Sequence, residues 1–165
     1  MSFDDELSDL GVLVIDDDRM SRSLVSGLFE ELGATDVQVA ANALEGFEVL
    51  RRFSPDLIIC DLVMEKMSGL AFARRIRTHP GSPNPYVPII LLTAQADRKA
   101  VMDARDAGIN ALLAKPVSYD SLRAKVISVM EDPREFIRTD AYVGPDRRNR
   151  SLPLNGRTDR RRTRN

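Results

Sequence analysis

The sequence predicts an α/β domain built around a doubly wound parallel sheet of five strands. Short apolar segments of strand length alternate with longer segments in which apolar residues recur at helical spacing. The short segments are apolar at consecutive positions, which is typical of strands in a parallel sheet that helices cover on both faces. The chain has 165 residues, enough for one such domain and a modest extension.

Each predicted element follows from a local pattern. The first apolar run, GVLVI, ends in three aspartates, and the helical pattern after it ends at Gly33, a residue type that terminates helices. Asn42 and Ser118 can cap the second and fifth helices, because their side-chain oxygens can accept hydrogen bonds from backbone N–H groups of the first turn. The predicted strands are residues 11–15, 37–40, 57–60, 89–92 and 111–114, and the predicted helices are residues 20–32, 42 to about 53, 68–77, 97–107 and 118–130.

Polar residues follow four of the five predicted strands, at the point where each strand ends. The carboxyl ends of the strands in an open parallel sheet meet at one edge, where ligands bind. We therefore expect these side chains to lie along one edge of the sheet: Asp16, Asp17 and Asp18 after the first strand, Asp61 after the third, Thr93 after the fourth and Lys115 after the fifth.

This set of side chains is suited to phosphoryl transfer. Any one aspartate could be a solvated surface carboxylate, but carboxylates that converge from separate strands repel one another and favour a bound cation. Mg²⁺ binds to one or two carboxylates together with water and phosphate oxygens. A lysine and a threonine hydroxyl at the same edge can bind an incoming phosphoryl group. Asp61 is the candidate nucleophile, because it stands alone at the end of a central strand.

Four stretches of the sequence carry a resemblance to a known family. They are VLVIDDDRMSRSL, PDLIICDLVMEKMSGL, PIILLTA and AGINALLAKP, and the likeness covers about residues 10–130. In these stretches and in their order the chain resembles the receiver domains of response regulators, the CheY-like family. The resemblance implies a flavodoxin-like (βα)5 fold with strand order 2-1-3-4-5. It also implies a signalling domain rather than an enzyme.

The resemblance implies a role for each acidic residue. Asp61 would be the phosphoacceptor. Asp17 would bind Mg²⁺ together with Asp61, and Asp16 would help to bind it, directly or through water. The backbone carbonyl of Val63 would complete the protein ligands. Asp18 lies outside the acidic pair of the family, so a helix cap or a solvated carboxylate is as good an interpretation as a metal ligand.

Two further residues would bind the phosphoryl group. By the resemblance, Thr93 would hydrogen bond a phosphoryl oxygen and Lys115 would pair with the phosphoryl group, with a cis peptide between Lys115 and Pro116. The sequence departs from the family at Leu112, where Tyr or Phe is common. A switch through an aromatic side chain is therefore in doubt at this position.

The function implied by the resemblance is that of a stand-alone two-component receiver. A histidine kinase or a histidine phosphotransfer protein would donate the phosphoryl group. The loops and helices after the fourth and fifth strands would change conformation and contact a downstream protein target. A hydrolase with an aspartate nucleophile is a competing class, but it needs an acid or base near the nucleophile, and Asp61 is followed by Leu62 and Val63.

The composition predicts a cytoplasmic protein. The single cysteine, Cys60, excludes a disulfide within the chain, as is usual in a reducing compartment. Residues 1–9 form an acidic N-terminal lead without the apolar run of a signal peptide. The sequence contains no apolar stretch of the length that crosses a bilayer. The receiver domain itself is predicted at residues 10–130.

Residues 131–165 form a C-terminal extension of different character. Residues 144–165 carry a net charge of +6 while residues 1–143 carry −7, and every basic residue of the final segment is arginine. We expect disorder from about residue 144, because the chain has almost nothing to bury there. The apolar residues before that point could pack back on the domain; they are Phe136, Ile137, Tyr142 and Val143.

The arginines leave two interpretations open. The tail resembles arginine-rich extensions of some CheY-like proteins that bind cyclic di-GMP, so the chain could be an adaptor for a nucleotide of this kind, or for a nucleic acid, an anionic membrane or an acidic protein surface. The tail could equally be a solvated segment, or one that docks on the acidic body. The candidate ligand-binding residues are Arg147, Arg148, Arg150, Arg160, Arg161 and Arg162.

Overall fold

The computed structural model describes residues 7–132, 134–139 and 141–147, and the account below concerns those residues. The strands are β1 (Gly11–Ile15), β2 (Asp36–Ala40), β3 (Leu57–Asp61), β4 (Ile89–Thr93), β5 (Ala111–Ala114), β6 (Phe136–Arg138) and β7 (Val143–Pro145). The helices are α1 (Arg19–Glu31), α2 (Ala43–Leu50), α3 (Gly69–Thr78), α4 (Arg98–Asp106) and α5 (Tyr119–Met130). None of these helices is long and apolar enough to cross a membrane.

The first five strands form one parallel sheet in the order β2-β1-β3-β4-β5. This confirms the predicted doubly wound fold and its strand order. Strands β1, β3 and β4 are buried along their whole length. Burial on both faces is the physical reason why their sequences are runs of apolar residues rather than alternating patterns.

Helices cover both faces of this sheet. Successive residues of a strand point to opposite faces, so Leu13 packs in one core and its neighbour Val12 in the other. Helices α2, α3 and α4 cover the Leu13 face, where Phe72 of α3 is fully buried. Helices α1 and α5 cover the opposite face, where Phe29 of α1 is fully buried.

Each helix begins directly after a polar side chain that caps it. In every case the side-chain oxygen accepts a hydrogen bond from a backbone N–H group of the first turn, which would otherwise lack a partner. The caps of Asn42 and Ser118 were predicted, and they are confirmed. The capping residues are Asp18, Asn42, Ser68, Asp97 and Ser118.

Helix α2 is shorter than predicted. It ends at Leu50 rather than near Phe53, and the next two residues turn back through hydrogen bonds of the tighter i→i+3 type. The turn places the Phe53 ring against the first core, close to Gly11 at the start of β1. The apolar residues do recur at helical spacing, but the last of them, Phe53, packs on the core from a turn rather than from the helix.

The folded unit begins earlier than residue 10. Leu7 and Leu10 are both buried in the core under α1 and α5, and the N–H group of Leu10 donates to the carbonyl of Leu7. Part of the segment that the sequence assigned to an acidic lead therefore belongs to the packed domain.

The folded unit also extends beyond α5. Strands β6 and β7 form an antiparallel hairpin, in which Tyr142 and Val143 are buried as the sequence suggested. Disorder was predicted from about residue 144, whereas residues 144–147 lie in β7 and the turn after it and pack on the domain. Residues 148–165 lie outside the described residues.

Candidate functional site

The carboxyl ends of the strands bring the predicted site residues to one edge of the sheet. Asp61 is the last residue of β3 and lies in register with Leu92 of β4. The next residue of β4, Thr93, lies in register with Ala114 of β5. Asp16 directly follows β1, which is the other neighbour of β3. The parallel pairing alone therefore places these side chains around Asp61.

Three of the predicted carboxylates converge. One oxygen from each of Asp16, Asp17 and Asp61 lies within 4.8 Å of the other two. Asp16 is fully buried and Asp61 is 8% exposed, whereas Asp17 lies at the surface. The cluster therefore opens to solvent on the Asp17 side, where a small ligand can enter.

Asp16 is held rigidly by its neighbours. Its Oδ1 accepts from the N–H group of Asp18 at 2.9 Å, and its Oδ2 accepts from the Ser21 hydroxyl at 2.6 Å. Arg22 donates to its backbone carbonyl at 2.7 Å. These bonds tie the first turn of α1 to the cluster and leave Asp16 with fewer free lone pairs than its neighbours.

Lys115 supplies the positive charge of the site. Its Nζ lies 3.0 Å from Asp61 Oδ2 and 3.5 Å from Asp16 Oδ2. Its backbone N–H donates to the carbonyl of Thr93, which anchors the residue at the end of the sheet. Burial lowers the pKa of Lys115, but the two carboxylates outweigh this effect and the net direction is upward. The ammonium group is therefore charged at neutral pH.

Asp61 lies in an environment that disfavours its ionised form. Burial raises the pKa of Asp61, and the charge of Asp16 raises it further. The hydrogen bond and charge of Lys115 act in the opposite direction, but the pKa remains above its ordinary value. The site thus holds a partly desolvated carboxylate beside a cation, an arrangement suited to a nucleophile.

Thr93 lies at the site, and its hydroxyl is engaged by the following loop. The hydroxyl is buried, donates to the carbonyl of Gln95 at 3.0 Å and accepts from the N–H group of Gln95 at 3.1 Å. The structure therefore positions Thr93 at the predicted edge and gives it a role in holding the loop between β4 and α4. Its predicted bond to a phosphoryl oxygen stays a prediction.

Helix α3 begins in close contact with Asp61. The N–H group of Gly69 donates to the carbonyl of Leu62 at 2.9 Å. A Cβ on Gly69 would overlap the carbonyl oxygen of Asp61. Only glycine lets the helix approach the acceptor strand this closely.

The acidic cluster fits a divalent cation. Asp17 accepts a long hydrogen bond of 3.3 Å from the N–H group of Glu65, and Asp61 Oδ1 one of 3.4 Å from that of Val63. Both carboxylates keep lone pairs for a metal, and oxygen ligands of this kind suit Mg²⁺. The Val63 side chain is 76% exposed, and the metal-binding role of its carbonyl stays a prediction.

The remaining predictions about this region have clear outcomes. Asp18 caps α1 by accepting from two backbone N–H groups, which confirms the helix-cap interpretation. The Lys115–Pro116 peptide is cis, as the resemblance implied. Leu112 is half-buried against the first core. Cys60 is fully buried, and burial raises the pKa of its thiol well above the ordinary value, so it is inert.

Sequence reasoning missed three contacts of the site. Ser21, Gly69 and Gln95 contact the predicted residues, but each contact depends on the geometry of a loop or a helix start. A signal for Ser21 was present, because a hydroxyl in the first turn of a helix points back to the strand end before it. No comparable signal marks Gln95, whose main chain makes the contact.

The arginine candidates are for the most part outside the described residues. The candidates outside the described residues are Arg148, Arg150, Arg160, Arg161 and Arg162. Arg147 is described, and its guanidinium is engaged within the chain: it pairs with Asp106 at 2.7 Å and lies 4.0 Å from the centre of the Tyr142 ring. A phosphate-rich ligand at these arginines stays a prediction.

Comparisons with known proteins agree with this geometry. The sequence matches the family described as response regulator receiver domain over residues 12–127. It is 34% identical to the probable chemotaxis protein CheY of Rhizobium etli over 118 residues, and this aligned region covers 72% of this chain and 90% of that protein. It is also 34% identical to the regulator of RpoS of Escherichia coli K12 over 143 residues, and this aligned region covers 80% of this chain and 41% of that protein.

Solved structures show the same architecture. A putative response regulator from Chloroflexus aurantiacus superposes with a TM-score of 0.67 at 30% identity, over 74% of this chain and 98% of that one. The chemotaxis protein CheY4 of Vibrio cholerae superposes with a TM-score of 0.68 at 26% identity, over 73% of this chain and 98% of that one.

Proposed function

Since this chain belongs to the response regulator receiver family of two-component signalling, we propose that it accepts a phosphoryl group on Asp61 in the presence of Mg²⁺. The donor is the phosphohistidine of a histidine kinase or of a histidine phosphotransfer protein. The observation that carries the proposal is the position of Lys115 Nζ, 3.0 Å from Asp61 Oδ2, beside three converging carboxylates. A solvated acidic surface does not need a half-buried lysine at this point.

The reaction is a transfer between two nucleophiles. A carboxylate oxygen of Asp61 attacks the phosphorus, the P–N bond breaks, and the imidazole of the donor leaves with the electron pair of that bond. The product is an aspartyl phosphate. Lys115 then pairs with the phosphoryl oxygens instead of with the carboxylate alone. Mg²⁺ held by Asp16, Asp17, Asp61 and the Val63 carbonyl would offset negative charge on the same oxygens.

The signal is a change of conformation in the loop after β4. In the structure the Thr93 hydroxyl makes two hydrogen bonds to the main chain of Gln95. A phosphoryl oxygen on Asp61 competes for this hydroxyl. When the hydroxyl bonds to the phosphoryl oxygen instead of to Gln95, the loop that leads into α4 is released. The phosphoryl group thus biases an equilibrium between two loop arrangements. Elements after β4 and β5 present the change to a protein target, and Leu112 replaces the aromatic residue common in the family.

A cytoplasmic location is part of the proposal. The donor proteins carry phosphohistidine in the cytoplasm, and the single buried thiol of Cys60 needs no oxidising compartment.

The first test is the intact mass of the full chain after incubation with acetyl phosphate, with and without Mg²⁺. We expect a Mg²⁺-dependent gain of one phosphoryl group in the wild type and none in Asp61→Asn. Asp18→Asn is the matched control, because it makes the same chemical change two residues from Asp16 and asparagine caps helices as well as aspartate. That variant should gain the group normally.

Two results would contradict the proposal. A phosphoryl gain that persists in Asp61→Asn would place the acceptor elsewhere. No gain in the wild type, either from acetyl phosphate or from a phosphorylated histidine phosphotransfer protein, would mean that the domain has lost phosphoryl transfer and acts through binding alone.

A further inference from the structure

The C-terminal hairpin docks at the end of the sheet opposite Asp61. We call residues 134–139 and 141–147 the strap. The strap contacts the segments that enter β4 and β5, not those that leave them: Arg134 donates to the carbonyl of Asn110 at 3.3 Å, and the Phe136 ring stacks edge-on against Tyr86 at 5.6 Å between centroids. The strap is therefore remote from the phosphoryl chemistry.

The strap interlocks with the loop between α4 and β5 through two glycines. A Cβ on Gly108 would overlap the carbonyl oxygen of Val143. A Cβ on Gly144 would lie 2.6 Å from the Cα of Gly108 and 2.6 Å from the hydroxyl of Tyr142. The two backbones therefore cross at a distance that no side chain permits, so docking is specific to this arrangement.

The last residues of the strap are bound to the last turn of α4. Arg147 pairs with Asp106 at 2.7 Å, and its backbone carbonyl accepts from Arg105 at 3.0 Å. The guanidinium of Arg147 also lies over the ring of Tyr142, whose hydroxyl donates to the carbonyl of Pro145 at 2.7 Å. These contacts fix the C-terminal end of α4 to the strap.

Helix α4 depends on its two ends because its body is weakly anchored. Of the residues Arg98–Asp106, Ala104 is the one that is buried in the core. The N-terminal end of the helix follows the loop that the Thr93 hydroxyl holds through Gln95. The C-terminal end runs into Ala107 and Ile109, which are buried in the first core, and it is also held by the strap. A nine-residue helix that buries so little surface of its own depends for its position on the attachments at its two ends.

We propose that the strap is a latch for α4 whose docking is coupled to the state of Asp61. The docked strap stabilises the position of α4 that accompanies the Thr93–Gln95 bonds. Loss of those bonds moves α4 and loosens the strap. Coupling between two sites is reciprocal, so undocking the strap favours the phosphorylated arrangement by the same factor. This inference rests on the proposed function, because it assumes that Asp61 and Thr93 respond to a phosphoryl group.

The test uses the full chain and fluoroberyllate, which binds a carboxylate reversibly as a phosphoryl mimic in the presence of Mg²⁺. Amide NMR titration gives its dissociation constant, and amide hydrogen exchange reports the protection of the strap. We expect strap amides to exchange faster in the bound wild type by about fivefold or more, the lower end of typical couplings. We expect fluoroberyllate to bind Gly144→Ala about fivefold more tightly than the wild type, by the same coupling.

A second variant and two controls separate docking from general damage. Arg147→Glu sets two carboxylates against each other at Asp106 and should tighten binding as Gly144→Ala does. Arg138→Glu makes the same charge change at an exposed strap position, and Gly27→Ala adds a Cβ where nothing lies within 4 Å. Both controls should bind fluoroberyllate as the wild type does.

Three results decide the matter. Tighter binding in both strap variants, with normal controls, supports the latch. Fluoroberyllate binding that is normal in all variants, with unchanged strap exchange, overturns the latch while leaving the phosphoacceptor intact. If the wild type neither binds fluoroberyllate nor gains phosphoryl mass, both proposals fall. Comparison of strap exchange in Gly144→Ala and the wild type without any ligand then still establishes whether the strap is docked.

Discussion

Neutralising Asp61 should stabilise the protein when no metal is present. In Asp61→Asn the shape of the side chain is kept and its charge is removed. Asp61 is 8% exposed and has one oxygen in a cluster with Asp16 and Asp17. Lys115 is the cation that offsets this charge. The sign of the effect depends on which of these interactions is larger.

The magnitude follows from the distances. With an effective dielectric constant of about 20, repulsion between Asp61 and the buried Asp16, whose oxygens lie within 4.8 Å of each other, costs at least about 3.5 kcal/mol. Attraction to Lys115 at 3.0 Å returns about 5.5 kcal/mol, and the exposed Asp17 is screened by solvent and adds less. Burial of the charge is the largest cause of the raised pKa of Asp61, and it turns this balance against the ionised form. We therefore expect a gain of about 1–2 kcal/mol in the free energy of unfolding, which shifts a urea midpoint upward by about 0.5–1 M.

The assay is urea unfolding in EDTA at neutral pH, followed by circular dichroism. Because the pKa of Asp61 is raised, the folded state binds the proton more tightly than the unfolded state. The cost of the ionised carboxylate is therefore complete above the raised pKa and disappears as the pH falls towards the ordinary value of 3.8. The advantage of Asp61→Asn should shrink over the same interval.

Two further arms sharpen the result. Saturating Mg²⁺ should stabilise the wild type, by about 2.7 kcal/mol at a hundred times its dissociation constant, and should stabilise Asp61→Asn less. Asp18→Asn should change stability by less than about 0.5 kcal/mol, because it preserves the helix cap. A wild type that is as stable as Asp61→Asn in EDTA would refute the account of the site as a repelling cluster.

Four other substitutions can be compared by urea unfolding. Gly69→Ala should lower the free energy of unfolding by about 2 kcal/mol or more, since the new methyl group meets the backbone of Asp61, and phosphorylation should fall as well. Gly27→Ala places its methyl group in open space within α1, so it should be neutral or stabilise by up to about 1 kcal/mol. Lys66→Gly should stabilise by about 1 kcal/mol, because Lys66 has a φ of 69° that glycine adopts without strain; an unchanged midpoint would argue against strain there. Arg77→Met should destabilise the protein by about 2–4 kcal/mol, because the side chain of Arg77 is buried and makes three hydrogen bonds to uncharged acceptors. Burial lowers the pKa of Arg77 to about 9, so the side chain is still charged at neutral pH. A variant as stable as the wild type would mean that the buried charge is destabilising on balance.

The convergence of the site could be predicted from the sequence because it needs only strand ends. Asp16, Asp61 and Lys115 each follow an apolar run, and a parallel sheet brings such positions to one edge whatever the loops do. Periodicity likewise located every helix to within a few residues. The caps of Asn42 and Ser118 could be predicted because each depends on a single residue and the helical turn after it.

The contacts that depend on two distant segments could not be predicted. Arg77 lies in the stretch ARRIRTHP and is indistinguishable there from the exposed Arg74. Its burial results from the loop before β4 on one side and from Phe136 of the strap on the other, 4.8 Å from its guanidinium. Periodicity reports which face of a helix is apolar, but not which later segment folds over the polar face.

The same limit applied to the extension, where composition was a poor guide. A count of apolar residues after residue 143 predicts disorder, yet Gly144 and Pro145 are buried through backbone contacts rather than side-chain area. The contact with α4 then has a consequence for the arginines that follow it in the sequence. Arg148 follows Arg147 directly in the sequence, so a partner that binds Arg148 would act next to the end of the strap. If binding requires the strap to undock, its affinity should rise when Asp61 carries a phosphoryl group, by the factor measured with Gly144→Ala. The acidic body and the arginine tail would then form one switch, joined at α4.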